Sequence, residues 1–274
     1  MSFRLTLSAA LAVSLGAMAP LYAADGDPPA KAKAVEAAQS KAVNPFLAPS
    51  PLPYQFPQFD KIRNEHYRPA FEQGMAEGRR EIEAIANNPD PASFDNTIVA
   101  MERAEQLLTR VSRVFFAQAG TNTNDEMQKI QTELAPKLSA HNDQTVLNGK
   151  LFARVKAVYD ARDTLGLDAE SKRLVGRYHT DFVRAGAKLS DADKTRLKAM
   201  NAELASLSTR FSQNLLKETN ASAIVVDKRE QLKGLADDAI AAAGEAAKKR
   251  ELEGKFVIPL MNTSGQPALA SLED

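Results

Sequence analysis

The sequence predicts a mainly α-helical fold, a multi-helical lobe with a small strand-helix-strand element near its C-terminal end. Three observations carry that expectation. From Lys61 onward, apolar residues recur at spacings of three, four and seven, which places them on single helix faces. After residue 222 the period changes, and two short β-branched runs appear at 223–226 and 255–260. Hydrophobic residues make up 44% of the 274 and charged residues 26%, the balance of a chain that buries a core.

The elements follow in order. Arg4 precedes an uncharged stretch over residues 5–19, and the small residues after it end in Leu21-Tyr22-Ala23. Charge, apolar stretch and small residues in that order read as a secretory signal peptide, residues 1–23, cleaved after Ala23. The apolar stretch is shorter than the ~20 residues a spanning helix needs. The mature chain is therefore expected to be exported, to a periplasm in a Gram-negative source, and to have no membrane partner after cleavage.

Residues 24–43 hold Ala, Lys, Asp and Gln with little large apolar content, and read as a flexible leader. Over residues 44–59, Pro45, Pro49, Pro51, Pro53 and Pro57 alternate with Phe46, Leu52, Tyr54, Phe56 and Phe59. Proline fixes φ and removes a donor, so this Pro-rich segment is expected to be extended and to lie along the surface of its own domain. Residues 60–274 form the helical lobe.

Ile98, Met101, Leu108, Val111 and Phe115 mark a helix that Asp95 or Asn96 can cap. Met127, Ile130, Leu134 and Leu138 mark the next, with Pro136 inside it as an expected kink. Phe152, Val155 and Tyr159 mark another, and Leu174, Tyr178 and Phe182 a further one. From Ser190 to about Glu218, a capping box made by Ser190 and Asp193 opens a long helix. Its seam of Leu197, Met200, Leu204, Leu207 and Phe211 lasts about two heptads, and is expected to pack against an antiparallel helix of the same chain rather than in a coiled-coil dimer. Gly74 and Gly78, spaced G-x-x-x-G in a charged helix, predict a close helix approach. The run 223–226, an Ala-rich helix over 235–252 and the run 255–260 complete the lobe. Gln266-Pro267-Ala268-Leu269 opens what reads as a new helix, and the stop at Asp274 reads as a cut.

Lys+Arg and Asp+Glu both number 35, so no basic excess points to a nucleic-acid partner. With no Cys, disulfides, thiolate nucleophiles and Cys-held zinc are excluded. A zinc peptidase motif needs two His one helical turn apart with a Glu between them. His66, His141 and His179 do not have that spacing. No G-x-S-x-G elbow, phosphate loop or G-x-G-x-x-G is present. Residue chemistry alone assigns no catalytic, cofactor-binding or metal residue.

Scaffold motifs go further. Asn44-Pro45-Phe46, Pro51-Leu52-Pro53-Tyr54, Phe59-Asp60-Lys61-Ile62, Glu65-His66-Tyr67 and Pro69-Ala70-Phe71 follow one another in order. Ile85-Ala86-Asn87-Asn88-Pro89, Phe94-Asp95-Asn96-Thr97-Ile98, Arg184-Ala185-Gly186-Ala187 and Asn214-Leu215-Leu216-Lys217-Glu218-Thr219 continue the series, which ends on Ile258-Pro259-Leu260, Asn262-Thr263 and Gln266-Pro267. In this order they resemble the first part of bacterial peptidyl-dipeptidases (dipeptidyl carboxypeptidases), of the thimet oligopeptidase family of zinc metallopeptidases. The resemblance covers roughly residues 44–274. It implies an almost wholly helical fold in which two lobes flank a channel admitting short peptides. It implies zinc on an H-E-x-x-H helix with a downstream Glu, and a motif Glu that activates the zinc-bound water.

None of the family's zinc ligands or substrate-holding groups has a matching position here. The resemblance therefore implies zinc in a full-length enzyme, none held by this chain, short peptides as substrates, and a catalytic lobe outside these residues. This chain alone is expected to be inactive. A stand-alone exported module that binds peptides or a partner without catalysis remains the second reading.

Overall fold

A computed structural model describes residues 44–261 and 265–273. The signal peptide and leader readings, residues 1–43, lie outside the described residues. So do Asn262 and Thr263 of the last motif.

The chain enters at Phe46, which is 2% exposed and sets its ring 5.4 Å from that of Tyr67. Arg110 clamps this entry by donating from Nε and Nη2 to the Phe46 carbonyl, at 3.0 and 2.7 Å. Beyond Phe46 the Pro-rich segment is not continuously extended. It turns, with a single 3₁₀ turn over Pro53–Gln55, and Tyr54 and Gln55 sit at φ 56° and 55°. Proline sets each φ locally, but the residues between prolines stay free to reverse the chain. Phe46 is the member of the segment that enters the core; Tyr54 and Phe56 are exposed.

Helix α1 (Tyr67–Ala86) follows a 3₁₀ turn at Asn64–His66. A π-helical turn, Phe94–Val99, leads into α2 (Ala100–Arg103). Its cap is Ser93, whose side chain accepts from the Asn96 amide while Asn96 accepts from the Ser93 amide. Asn96 thus completes a capping box rather than capping alone. The single helix expected through Ile98 and Phe115 is broken: Ala104 is extended and Glu105 takes φ 59°. Helix α3 (Gln106–Thr121) starts afresh after that break.

Helix α4 (Asp125–Val146) contains Pro136 and runs on past it. Helices α5 (Gly149–Ala161) and α6 (Ala169–Arg184) carry the predicted apolar stripes. Helix α7 (Asp191–Ala221) starts at the predicted cap, with Ser190 Oγ accepting from the Asp193 amide at 3.1 Å. Strand β1 (Ile224–Val226) pairs antiparallel with β2 (Phe256–Ile258), Val225 opposite Val257, around α8 (Asp237–Lys248). Helix α9 (Pro267–Ser271) ends the described chain.

Three apolar clusters organise these elements. The first joins Phe46 of the entry segment to Phe71, Val111, Phe115, Ile130 and Leu134 from α1, α3 and α4. Gly74 permits it, because a Cβ there would lie 2.9 Å from the Leu108 backbone. The G-x-x-x-G reading of close packing therefore holds, between α1 and α3. The second cluster gathers Ile82, Ile98, Leu151, Val155, Val175 and Phe182. The third, Leu232, Ile240, Ala243 and Ile258, fills the strand-helix-strand element. None of these clusters draws a buried residue from α7, although α7 packs along α4.

Candidate functional site

The long helices α4 and α7 frame the candidate site. At 100° per residue, Asn201, Ala205, Thr209 and Gln213 share the side of α7 that faces α4, and all are half-buried. These residues are small or polar, and two of them bond across the interface. Asn201 Nδ2 donates to Asp143 Oδ1 at 2.8 Å, and Gln213 Nε2 donates to the Gln128 carbonyl at 3.0 Å. Two amide side chains thus tie α7 to α4 by hydrogen bonds.

The apolar seam points elsewhere. Met200 is 56% exposed, Leu204 62%, Leu207 47% and Phe211 68%. Leu197, the first residue of the seam, is half-buried, so the expectation that the seam packs inside the chain is corrected for Met200, Leu204, Leu207 and Phe211. The spacing identified the row but not its direction, because α7 has a second stripe, at spacing four, that does the internal packing.

Between α4 and the first half of α7 lies a groove of about 430 Å³, lined by Ser139, Asp143, Val146, Arg184, Asn201 and Leu204 among others. Asp143 forms its floor at 2% exposed. Its Oδ2 has no hydrogen-bond partner among the described residues, so one buried carboxylate oxygen there still lacks a donor. The same residue borders a smaller cleft of about 220 Å³, where Arg79 and Glu83 of α1 meet Lys198 of α7. The groove therefore offers an apolar rim, a buried acceptor and nearby cations. The described residues that line it assemble no nucleophile-base pair.

The three histidines are committed elsewhere. His66 Nδ1 accepts from the Arg63 amide at 3.0 Å and closes the turn before α1. His141 is 5% exposed and its Nε2 lies 2.6 Å from Glu105 Oε1. It sits two residues before Asp143, on the opposite side of α4 from the groove. His179 stacks on Tyr159, centroids 4.0 Å apart, and on Phe152 at 5.8 Å. Burial lowers its pKa below the usual value, and Lys188 pushes the same way. The imidazoles do not converge. Among the described residues no group of three or more His, Asp or Glu could hold a metal ion. The side chains present thus do not fit the zinc site that the resemblance implies for a full-length enzyme. No helix among the described residues is long and apolar enough to cross a membrane.

Sequence reasoning missed Asp143, Asn201 and Glu105, which are polar residues at positions that read as solvated. The one legible signal was the stripe Asn201-Ala205-Thr209-Gln213, too weakly apolar to register as a packing face.

The chain is similar to the dipeptidyl carboxypeptidase of Escherichia coli (strain K12), 50% identical over 232 residues, which is 85% of this chain and 34% of that protein. It is 47% identical over 233 residues to the dipeptidyl carboxypeptidase of Salmonella typhimurium, again 85% of the chain and 34% of the relative. Oligopeptidase A of Escherichia coli is 24% identical over 211 residues, 77% of the chain and 30% of that protein. The chain spans about a third of the length of the curated relatives it matches. No family model matches it.

Proposed function

We infer, from this kinship with the dipeptidyl carboxypeptidases, that the chain is a scaffold lobe of a peptidase of that kind. The single observation that carries the inference is 50% identity over 85% of the chain, confined to 34% of the relative. The lobe supplies part of one wall of a channel for short peptides. Zinc, its ligands and the groups that attack the peptide bond belong to polypeptide beyond these residues, and the product is a dipeptide released from the C-terminal end. The chain contributes no catalytic or metal residue, which accords with three histidines already engaged in capping, pairing and stacking. Export to the periplasm follows from the reading of residues 1–23.

The test has two parts. The 274-residue chain, purified and dialysed, is expected to retain no zinc at one per chain and to cleave no peptide. A chimera is then made in which this chain replaces the matching third of the Escherichia coli relative. It is expected to release dipeptides from the C-terminal end of a short peptide, read by mass spectrometry. A folded chimera without that activity overturns the reading, and so does stoichiometric zinc in the chain alone.

A further inference from the structure

Helix α7 has its amphipathicity reversed. Its inward side, against α4, carries Asn201, Ala205, Thr209 and Gln213; its outward side carries Met200, Leu204, Leu207, Phe211 and Leu215. On a helix with one packed face the apolar residues are the ones that turn inward. Here they are exposed to solvent, with Leu204 at the rim of the groove beside α4, and none of the helix's 31 residues is fully buried. The row steps by four, three, four and four, the spacing that lets one helix seat on another at a shallow angle. From Met200 to Leu215 it runs about 22 Å at 1.5 Å per residue, a contiguous apolar strip of the kind that marks an interaction site.

We propose that this row is a second helix-packing face, and that its occupant is an apolar-faced helical segment from the remaining two thirds of a peptidase of the related kind. The proposal rests on the scaffold-lobe reading given above. Two observations select this occupant over a second copy of the chain. The matched relatives carry about twice as much polypeptide again outside the 34% this chain matches, so a covering segment is available within one molecule. The row also lasts about two heptads, short of the three to four that a self-sufficient coiled coil sustains. The amide zipper of Asn201 and Gln213 then has a clear role. It ties α7 to α4 by hydrogen bonds and leaves the exposed row for the second partner.

The test exploits the absence of Cys from the sequence. Leu207→Cys and, as an exposed control, Lys249→Cys are each introduced into the 274-residue chain and into the chimera. Maleimide modification of the introduced position is timed by peptide mass mapping, and size-exclusion chromatography with light scattering gives the oligomeric state. Leu207→Cys is expected to react readily in the monomeric chain and at least tenfold more slowly in the chimera, with Lys249→Cys reactive in both. Equal reactivity of Leu207→Cys in chain and folded chimera overturns the proposal. A dimer of the 274-residue chain that protects Leu207→Cys but not Lys249→Cys overturns it too, in favour of a second copy. Protection in a chimera that folds but cleaves nothing upholds the packing face and sinks only the peptidase reading. A cleaving chimera with an unprotected Leu207→Cys does the reverse.

Discussion

His141 Nε2 and Glu105 Oε1 stand 2.6 Å apart, and the glutamate that makes this contact is held at φ 59°. Glu105 also donates its amide to Glu81 Oε2 at 2.6 Å, so one left-handed residue ties α1, α3 and α4 together. Non-glycine residues reach that conformation at a cost, and surrounding contacts must hold them there. Glu105→Ala keeps the strain and leaves His141 Nε2 buried without its partner. It is expected to lower unfolding free energy by about 2–3 kcal/mol. Glu105→Gly relieves the strain and should lose measurably less. Urea unfolding monitored by circular dichroism compares the two.

Gly74 and Gly176 should respond in opposite directions to alanine. A Cβ at Gly74 meets the Leu108 backbone at 2.9 Å, and backbone cannot swing aside. Gly74→Ala is expected to cost about 1–3 kcal/mol by forcing α1 off α3. Gly176 lies inside α6 with nothing within 4 Å of its Cβ position. Gly176→Ala is expected to stabilise by about 0.5–1 kcal/mol through helix propensity. Melting temperatures of the two variants settle both signs.

Phe46 pins the N-terminal entry to the first cluster. Phe46→Ala is expected to cost about 3–5 kcal/mol. Because Arg110 would still hold the carbonyl of residue 46, the loss should come from packing. Limited proteolysis should then cut within 47–61 faster than in the parent chain, while α3 and α4 stay protected.

Acidification should weaken the fold in two windows. His179 has its pKa lowered in the folded state, chiefly by burial, so the folded form binds fewer protons than the unfolded one. Its contribution is complete above the unfolded value of about 6.5 and declines as pH falls below it. Glu133 and Asp160 are shifted down by hydrogen bonds to Arg68 and Lys156. Their contribution is present above the ordinary carboxylate range and is lost only at lower pH. Melting temperature should therefore drop between pH 7.5 and 5.5, and His179→Phe, which keeps a ring on Tyr159, should flatten that step.

Periodicity made the helices and their inward faces legible wherever one apolar stripe met one core, as for Phe152 and Val155 in α5 or Phe115 in α3. The change of period near residue 222 located both strands, which pair as three-residue segments. What stayed hidden was set by tertiary geometry. Nothing local marks Glu105 as a break, because its conformation is held by Glu81 and His141, 24 and 36 residues away in sequence. The outward turn of the α7 row was equally illegible, since spacing fixes a face relative to the helix and not relative to α4. Asp143 reads in the sequence as one carboxylate among many, because its partner Asn201 lies 58 residues away.

The third cluster takes its members from the stretch between Ile224 and Leu272. A core assembled from neighbours in sequence needs little loop closure, so it forms early and reopens without disturbing distant contacts. In amide hydrogen exchange, β1, α8 and β2 should behave as their own cooperative unit, opening at a lower free energy than the helices clustered around Phe71 and Phe115. The strand-helix-strand element would then open and close as a unit of its own, without loss of the packing around Phe71 and Phe115.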